Sequence, residues 1–338
     1  MLFRLVLIVH PTSNFLGHYA LEPLAARGVT AVGMNTRYLG NDSALITENC
    51  VLDVGAGIRY LKDNGFDKVV LMGNSGGGGL VSLYQSQAER PSITATPAGD
   101  GPDLTQADLP AADGVICAMA HPGRASVYTE WLDPAITDEE RPFERDPELD
   151  AFDPRNPAPY SPEFIERYRA AQVARNERIT AWVRQRLAEL EAEGGGVEDL
   201  PFTVHGTCAD LRFLDQSIEP SDREPGTLWG DPWVANFLPA SLGHNTSLRS
   251  WLSQWSLESN ADGPFHLGRV SVPVLVAYGS ADNAAFPAHA KALYDGVGHD
   301  DKQLVELAGA NHYFKGQPEL LEQFVDTVVD WLDAHGLR

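Results

Sequence analysis

The sequence contains few cysteines and few basic residues, and each shortage excludes certain classes of protein. It has 3 cysteines among 338 residues. Cys50, Cys117 and Cys208 are too widely spaced for a metal cluster or a disulfide framework, so we predict that they are small buried hydrophobic residues. Lysine and arginine number 25 against 47 acidic residues, a formal net charge of −22. Such a chain repels phosphate backbones and anionic headgroups, so we expect no binding to nucleic acid or to a membrane surface.

Long apolar runs are also missing. The stretch from Met1 to Pro11 is too short to span a membrane, and it lacks the small-residue cleavage site of a secretory signal. No other segment approaches the apolar length that a membrane helix needs. We therefore expect a soluble, cytoplasmic protein. With 43% hydrophobic and 21% charged residues, the composition is that of a globular chain able to bury a large core.

Short apolar runs alternate with helix-like segments at both ends of the chain. We predict strands at residues 5–9, 29–34, 68–72, 114–120, 272–278 and 303–307. Helices are predicted at residues 18–27, 48–64, 80–88, 288–294 and 318–335. Strands that alternate with helices imply right-handed crossovers and a mainly parallel sheet. The predicted fold class is α/β, with a sheet of about six strands flanked by helices.

A large insertion interrupts this alternation, which divides the chain into core 1–124, insertion 125–266 and core 267–338. Within the insertion, residues 124–156 and 203–265 are predicted to be irregular. Between them Ser161 is a predicted N-cap, with Pro162 at the first position of a long helix that ends at glycines 194–196. Six of the seven tryptophans lie in the insertion: Trp131, Trp182, Trp229, Trp233, Trp251 and Trp255.

The strongest local signal is Gly73-Asn74-Ser75-Gly76-Gly77, which follows a predicted strand and precedes a predicted helix. A nucleophile on such a tight turn is exposed and strained, and glycines on either side let strand and helix pass closely. A phosphate-binding loop would need Gly-Lys-Ser/Thr, and a dinucleotide fingerprint would need glycine in place of Ser75. The pattern therefore predicts that Ser75 is a nucleophile, and it gives no support to a nucleotide-dependent enzyme.

This motif resembles the nucleophile elbow of the α/β-hydrolase superfamily, and the resemblance covers residues 1–123 and 266–338. It implies a triad in the order Ser, Asp or Glu, His. Asp282 follows the strand after the insertion and His312 follows the last strand, so the resemblance assigns them as acid and base. Asp300 and Asp301 precede the last strand, at the wrong end of a parallel sheet. His10 and His121 also follow strands, but each precedes a proline and is predicted to be structural.

The oxyanion hole of this family uses backbone N–H donors. One should be Gly76, directly after the nucleophile. The other should come from the loop after the first strand, where Pro11 stands in place of the usual glycine and has no N–H to donate. Thr12 is therefore the predicted donor, with Ser13 as the alternative.

The sheet itself departs from the family, which usually has two antiparallel strands before this loop. Either the sheet is reduced to about six strands, or the given start omits sequence. The exposed edge strand would then need covering by the insertion or by a second subunit of a homo-oligomer.

The resemblance implies a serine esterase that acts on a small-molecule ester and uses no metal or organic cofactor. The same triad could cleave thioesters, activated amides or carbon–carbon bonds, and a non-catalytic ligand-binding protein on this fold is the alternative from another class. We expect the insertion to cap the Ser75 pocket, with Trp251 and Trp255 lining an apolar acyl or aryl site. The competing interpretation is that the tryptophans form the cap's own core.

Overall fold

A six-stranded parallel sheet forms the centre of the computed structural model, which describes residues 3–239 and 241–338. The strands of the chain are β1 (Phe3–His10), β2 (Thr30–Asn35), β3 (Phe66–Ser75), β4 (Gly114–Ala120), β5 (Pro201–Thr203), β6 (Asn245–Ser247), β7 (Val274–Gly279) and β8 (Lys302–Leu307). The central sheet has the order β2-β1-β3-β4-β7-β8, and every neighbouring pair is parallel. This confirms the predicted fold class.

The register of the sheet aligns the carboxyl ends of its strands. One row of paired residues runs across five strands: Val9, Gly73, Cys117, Val276 and Leu304. Loops that leave the strands just beyond this row therefore meet at one edge, where ligands of open parallel sheets bind. Strands β4 and β7 are buried along their whole length, which explains their uninterrupted apolar sequences.

Helices cover both faces of this sheet. The α-helices in the described part of the chain, those of the insertion included, are α1 (Leu21–Ala26), α2 (Thr47–Asp63), α3 (Gly77–Glu89), α4 (Arg124–Trp131), α5 (Pro162–Glu193), α6 (Pro232–Phe237), α7 (Leu248–Ser250), α8 (Gly263–Leu267), α9 (Pro287–Gly296) and α10 (Pro318–Ala334). Alternate residues of β1 point to opposite faces: Leu5, Leu7 and Val9 pack with α2, α3 and α9, and Val6 and Ile8 pack with α1 and α10.

The insertion is more ordered than the sequence pattern predicts. The segment predicted to be irregular from residue 124 begins with α4. The second such segment contains β6, which pairs antiparallel with β5, three short helices and a π-helical turn at Trp251–Trp255. These elements are too short to show a clear period in the sequence. The predicted long helix is confirmed as α5, with the Ser161 hydroxyl accepting a hydrogen bond from the Phe164 N–H and Gly194 in the left-handed conformation at its end.

The insertion contacts loops of the core that follow the carboxyl ends of the strands of the central sheet. The Ser247 N–H donates to the Ser43 carbonyl over 2.7 Å, and the Thr47 N–H donates to Ser253 Oγ over 2.7 Å, both beyond β2. Beyond β7, the Ser280 hydroxyl donates to the Asp222 carboxylate. The insertion is therefore anchored along the sheet edge that carries the predicted site.

The three cysteines are free and buried, as predicted, and burial raises the pKa of each thiol to about 12. Within the described ranges, no helix combines the length and the apolar character needed to cross a bilayer.

Candidate active site

Ser75 sits at a strained turn between β3 and α3. Its φ is +55°, a left-handed conformation that is uncommon for a residue with a side chain. The turn is tight because strand and helix almost touch. A Cβ on Gly73 would lie 2.3 Å from the Gly77 carbonyl oxygen, and one on Gly77 would lie 2.3 Å from the Val9 carbonyl oxygen. The two glycines are thus required by close packing, and the turn leaves Ser75 half-buried at the carboxyl edge.

The structure brings the three predicted triad residues together. His312 Nε2 lies 3.1 Å from Ser75 Oγ, and His312 Nδ1 lies 2.7 Å from Asp282 Oδ2. Asp282 comes from the loop after β7 and His312 from the loop after β8. Both are almost fully buried, with 0% and 1% of their surfaces exposed. This arrangement makes the imidazole a bridge between hydroxyl and carboxylate.

The Asp282 carboxylate fixes the state of that bridge. Its Oδ1 accepts the backbone N–H groups of Ala284 and Ala285, each over 2.8 Å. With Oδ1 held by these donors, Oδ2 faces His312 and favours a proton on Nδ1. His312 Nε2 is then free to accept the Ser75 hydroxyl proton. The competing carboxylate Asp301 lies elsewhere, 3.0 Å from His335 Nε2.

The predicted second oxyanion donor is engaged elsewhere, which corrects that assignment. The Thr12 N–H donates to His10 Nδ1 over 3.0 Å, and the Ser13 N–H donates to the same nitrogen over 2.9 Å. Because Pro11 lacks an N–H, this loop offers the site no free backbone donor from residues 11–13. Gly76 keeps its predicted place, directly after Ser75 and at the N-terminus of α3.

Two side chains that sequence analysis did not place in the site lie against Gly76. A Cβ on Gly76 would be 2.9 Å from His10 Nε2 and 3.6 Å from Arg124 Nε. Both side chains are mostly buried, with 8% and 7% of their surfaces exposed. A sequence signal existed for each, since His10 ends β1 and Arg124 follows β4 at the same edge. His10 is predicted to be structural because it precedes Pro11, and no motif in the sequence gives Arg124 a role.

Arg124 is held by polar and aromatic neighbours. It donates to the Gln254 side-chain oxygen, and its Nη2 donates to Thr12 Oγ1 over 3.1 Å. Its guanidinium carbon lies 4.8 Å from the centre of the Trp255 ring. Its nearest carboxylate, among the described residues, is Asp42 at 3.9 Å. Burial lowers the pKa of Arg124, an effect that Asp42 opposes.

Trp251 and Trp255 do not line an open pocket, contrary to the prediction. Both side chains are 0% exposed and pack with Tyr128, Ile179 and Val183 inside the insertion. The Trp251 indole N–H donates to Thr180 Oγ1 over 2.9 Å. The competing interpretation, that these rings form the insertion's own core, describes them correctly. Trp255 is connected to the site through Arg124, whose guanidinium lies over its ring.

A cavity lies within the insertion. Its volume is about 630 Å³, and its lining includes Thr137, Arg178, Trp182, Phe202 and Val204. Trp182 lines this cavity and is 44% exposed.

This chain is similar to known proteins in its three-dimensional structure and not detectably in its sequence. No family model matches the sequence, and no curated protein matches it. Solved structures of similar shape include a Paleococcus ferrophilus monoacylglycerol lipase at 16% identity and TM-score 0.45, Est1E from Butyrivibrio proteoclasticus at 14% and 0.48, and a Bacillus anthracis bromoperoxidase at 16% and 0.45. Each alignment covers 98% of this chain, and 94%, 89% and 92% of the respective other chain.

Proposed function

We propose that this chain, which has the α/β-hydrolase fold, is a serine hydrolase that cleaves a carboxylic ester. The observation that carries the proposal is the hydrogen-bonded series Ser75–His312–Asp282, with distances of 3.1 and 2.7 Å. Nucleophile and base are within reach of each other, and a buried carboxylate orients the base, which is the geometry that activates a serine hydroxyl.

The proposed reaction proceeds through an acyl-enzyme. His312 Nε2 takes the proton of Ser75 as Oγ bonds to the carbonyl carbon, and the carbonyl oxygen becomes an oxyanion. The Gly76 N–H, at the N-terminus of α3, donates to that oxyanion. When the intermediate collapses, the ester C–O bond breaks and the imidazolium protonates the departing alkoxide. A water then repeats the sequence, releasing the acid and restoring Ser75.

The same steps would cleave a thioester, an activated amide or a carbon–carbon bond, because only the leaving group differs. The preference for an apolar acyl or aryl group was predicted from Trp251 and Trp255. Both rings are enclosed in the insertion, so the proposed function includes no preference for an apolar acyl or aryl group.

Labelling with a fluorophosphonate probe tests the proposal directly. We expect labelling of Ser75 in the wild-type chain and none in Ser75→Ala, with Ser92→Ala as an exposed-serine control that labels normally. On 4-nitrophenyl esters, Ser75→Ala should lose on the order of a millionfold in kcat while its thermal unfolding is unchanged. Absence of labelling together with tight binding of an intact ester would instead indicate the ligand-binding alternative.

A further inference from the structure

We propose that His10 Nε2 and Arg124 Nε form, beside Gly76, a binding site for a negatively charged oxygen at the reaction centre. The inference rests on the proposed hydrolase function and deepens it. It assigns to two side chains a role that the backbone of residues 11–13 does not fill.

The hydrogen bonds of His10 determine which nitrogen carries its proton. Nδ1 accepts two backbone N–H groups, from Thr12 and Ser13, so it cannot itself hold a proton. The proton must be on Nε2, which makes that nitrogen a donor. Among the described residues it has no hydrogen-bond partner, and it lies 2.9 Å from the position that a Cβ on Gly76 would take. His10 therefore presents a free N–H next to the residue that follows the nucleophile.

His10 stays neutral, so this donor does not depend on protonation of the ring. Burial is the main cause that lowers its pKa well below the ordinary value, and the positive charge of Arg124 adds to the effect. A neutral imidazole with a fixed Nε2–H is a suitable donor to a developing oxyanion, because it polarises the carbonyl without transferring a proton.

Arg124 supplies positive charge at the same place. Its two terminal nitrogens are occupied by Gln254 and Thr12, but within the described chain its Nε–H has no partner. The Asp42 carboxylate, at 3.9 Å, is too distant for a hydrogen bond. A buried guanidinium whose counter-ion makes no hydrogen bond to it is stabilised further when an anion joins it. In a chain of net charge −22, a cation buried beside the nucleophile points to an anionic occupant.

Two sources could provide that oxygen. One is the ester carbonyl oxygen itself, which becomes negative when Ser75 attacks. The other is a carboxylate carried by the substrate near its acyl group. The closeness of both donors to Gly76 favours the first, and the experiments below separate the two.

Two variants of His10 separate donation to substrate from support of the loop. In His10→Asn, the amide oxygen can take the place of Nδ1 as acceptor for Thr12 and Ser13, but the Nε2–H is lost. In His10→Gln, the longer amide can place an N–H near the Nε2 position while the acceptor is lost. We expect His10→Asn to lower kcat on 4-nitrophenyl hexanoate about a hundredfold or more at little change in KM, and His10→Gln to keep more activity.

If His10 only supports the loop, the order of the two activities is reversed: His10→Asn is active, and His10→Gln is impaired and less stable. Either that order or wild-type kcat in both variants would overturn the assignment of His10. Thermal unfolding of each variant shows whether it is folded. His335→Gln, directly after α10, controls for loss of an imidazole elsewhere.

Arg124→Met is tested on two matched esters, 4-nitrophenyl hexanoate and the 4-nitrophenyl monoester of adipate, which differ by a terminal carboxylate. If the site holds the oxyanion, we expect Arg124→Met to lower kcat by a similar factor on both esters. Arg124→Lys should then recover part of the activity. A fall in kcat/KM on the adipate ester alone assigns the site to a substrate carboxylate. Unchanged kinetics on both esters would remove Arg124 from the site.

Failure of this inference can be told apart from failure of the proposed function. If Ser75 reacts with the fluorophosphonate and wild-type turnover is present, unchanged His10 and Arg124 variants refute the anion site alone. If the wild-type chain neither reacts nor turns over esters, the hydrolase proposal fails and this inference fails with it.

Discussion

Asp282 is the residue whose chemistry and structural role can be separated most cleanly. Its Oδ1 accepts two backbone N–H groups, from Ala284 and Ala285, and its Oδ2 faces His312. In Asp282→Asn the amide oxygen can keep the two backbone bonds, while the amide N–H faces His312 Nδ1 and imposes the wrong tautomer. We expect kcat on 4-nitrophenyl esters to fall about ten-thousandfold, measured by steady-state kinetics.

The fold of Asp282→Asn should be retained, because the loop after β7 keeps its hydrogen bonds. Asn283→Ala, next to it in the same loop, is the matched control and should leave kcat near the wild-type value. Nearly full activity in Asp282→Asn would show that another carboxylate orients His312.

At the residue scale, the triad side chains that meet at Ser75 can be predicted from the sequence, but the side chains that lie against Gly76 cannot. Ser75, Asp282 and His312 each follow a strand, and parallel strands bring such residues to one edge whatever the details of packing. Whether Thr12 is an oxyanion donor depends on the direction of its N–H, and the His10 ring determines that direction. Whether Trp251 and Trp255 line a substrate site depends on which side of the insertion faces the core. Neither property has a period or a motif in the sequence.

The crossing of β1 and α3 gives a prediction at the scale of elements. Gly77→Ala places a methyl group 2.3 Å from the Val9 carbonyl oxygen. Since this atom belongs to the backbone of the central sheet, it cannot move aside as a side chain could. We expect the free energy of unfolding to fall by about 3 kcal/mol, measured by urea denaturation.

Gly17→Ala serves as the comparison for Gly77→Ala, because no heavy atom lies within 4 Å of the Cβ it would add. Equal stability of both variants would mean that α3 and β1 are less closely packed than described. Fluorophosphonate labelling of folded Gly77→Ala should also be slower, since the shift displaces the turn that carries Ser75.

Elements of the sheet were predictable because burial on both faces makes apolar runs, as in β4 and β7. The helix α4 was missed because its sequence alternates polar and apolar residues without a clear stripe while most of it is buried against α5 and the π-helical turn. The short elements of the insertion depend on tertiary contacts, so local patterns could not indicate them.

Glu48 on α2 links this element to the insertion. The carboxylate is fully buried and accepts Ser253 Oγ–H over 2.7 Å and Asn260 Nδ2–H over 2.8 Å. Burial raises the pKa of Glu48, and the two hydrogen bonds only partly oppose this. A raised folded-state pKa means that ionisation destabilises the folded chain. The contribution of Glu48 is thus fully present below its unfolded pKa, and it is lost as pH rises through the folded pKa.

Glu48→Gln removes this ionisation while keeping a side chain of the same shape. We expect the variant to gain stability relative to wild type as pH rises from 4 to 8, with the difference smallest near pH 4. Urea denaturation at a series of pH values measures it, and exposed Glu22→Gln is the control. A difference that grows toward acid pH would contradict the sign argued here.

For the whole molecule, the excess of 47 acidic over 25 basic residues is the dominant electrostatic feature. Repulsion among so many like charges destabilises the compact chain. Salt at 0.1 M largely screens the repulsion between exposed charges more than about 10 Å apart. We therefore expect the melting temperature to rise when sodium chloride is increased from low concentration to 0.5 M, as measured by calorimetry. A fall in melting temperature would mean that the surface ion pairs outweigh the repulsion.

The order of the site's residues along the chain has a consequence for how the molecule folds. Asp282 and His312 are separated by 30 residues, whereas Ser75 and His312 are separated by 237. Closing the longer loop costs about 2 kcal/mol more chain entropy than closing the shorter one. The acid–base pair can therefore form early and locally, while its junction with the nucleophile waits until both halves of the sheet have joined. A partly folded chain would hold every reactive group and yet leave esters untouched.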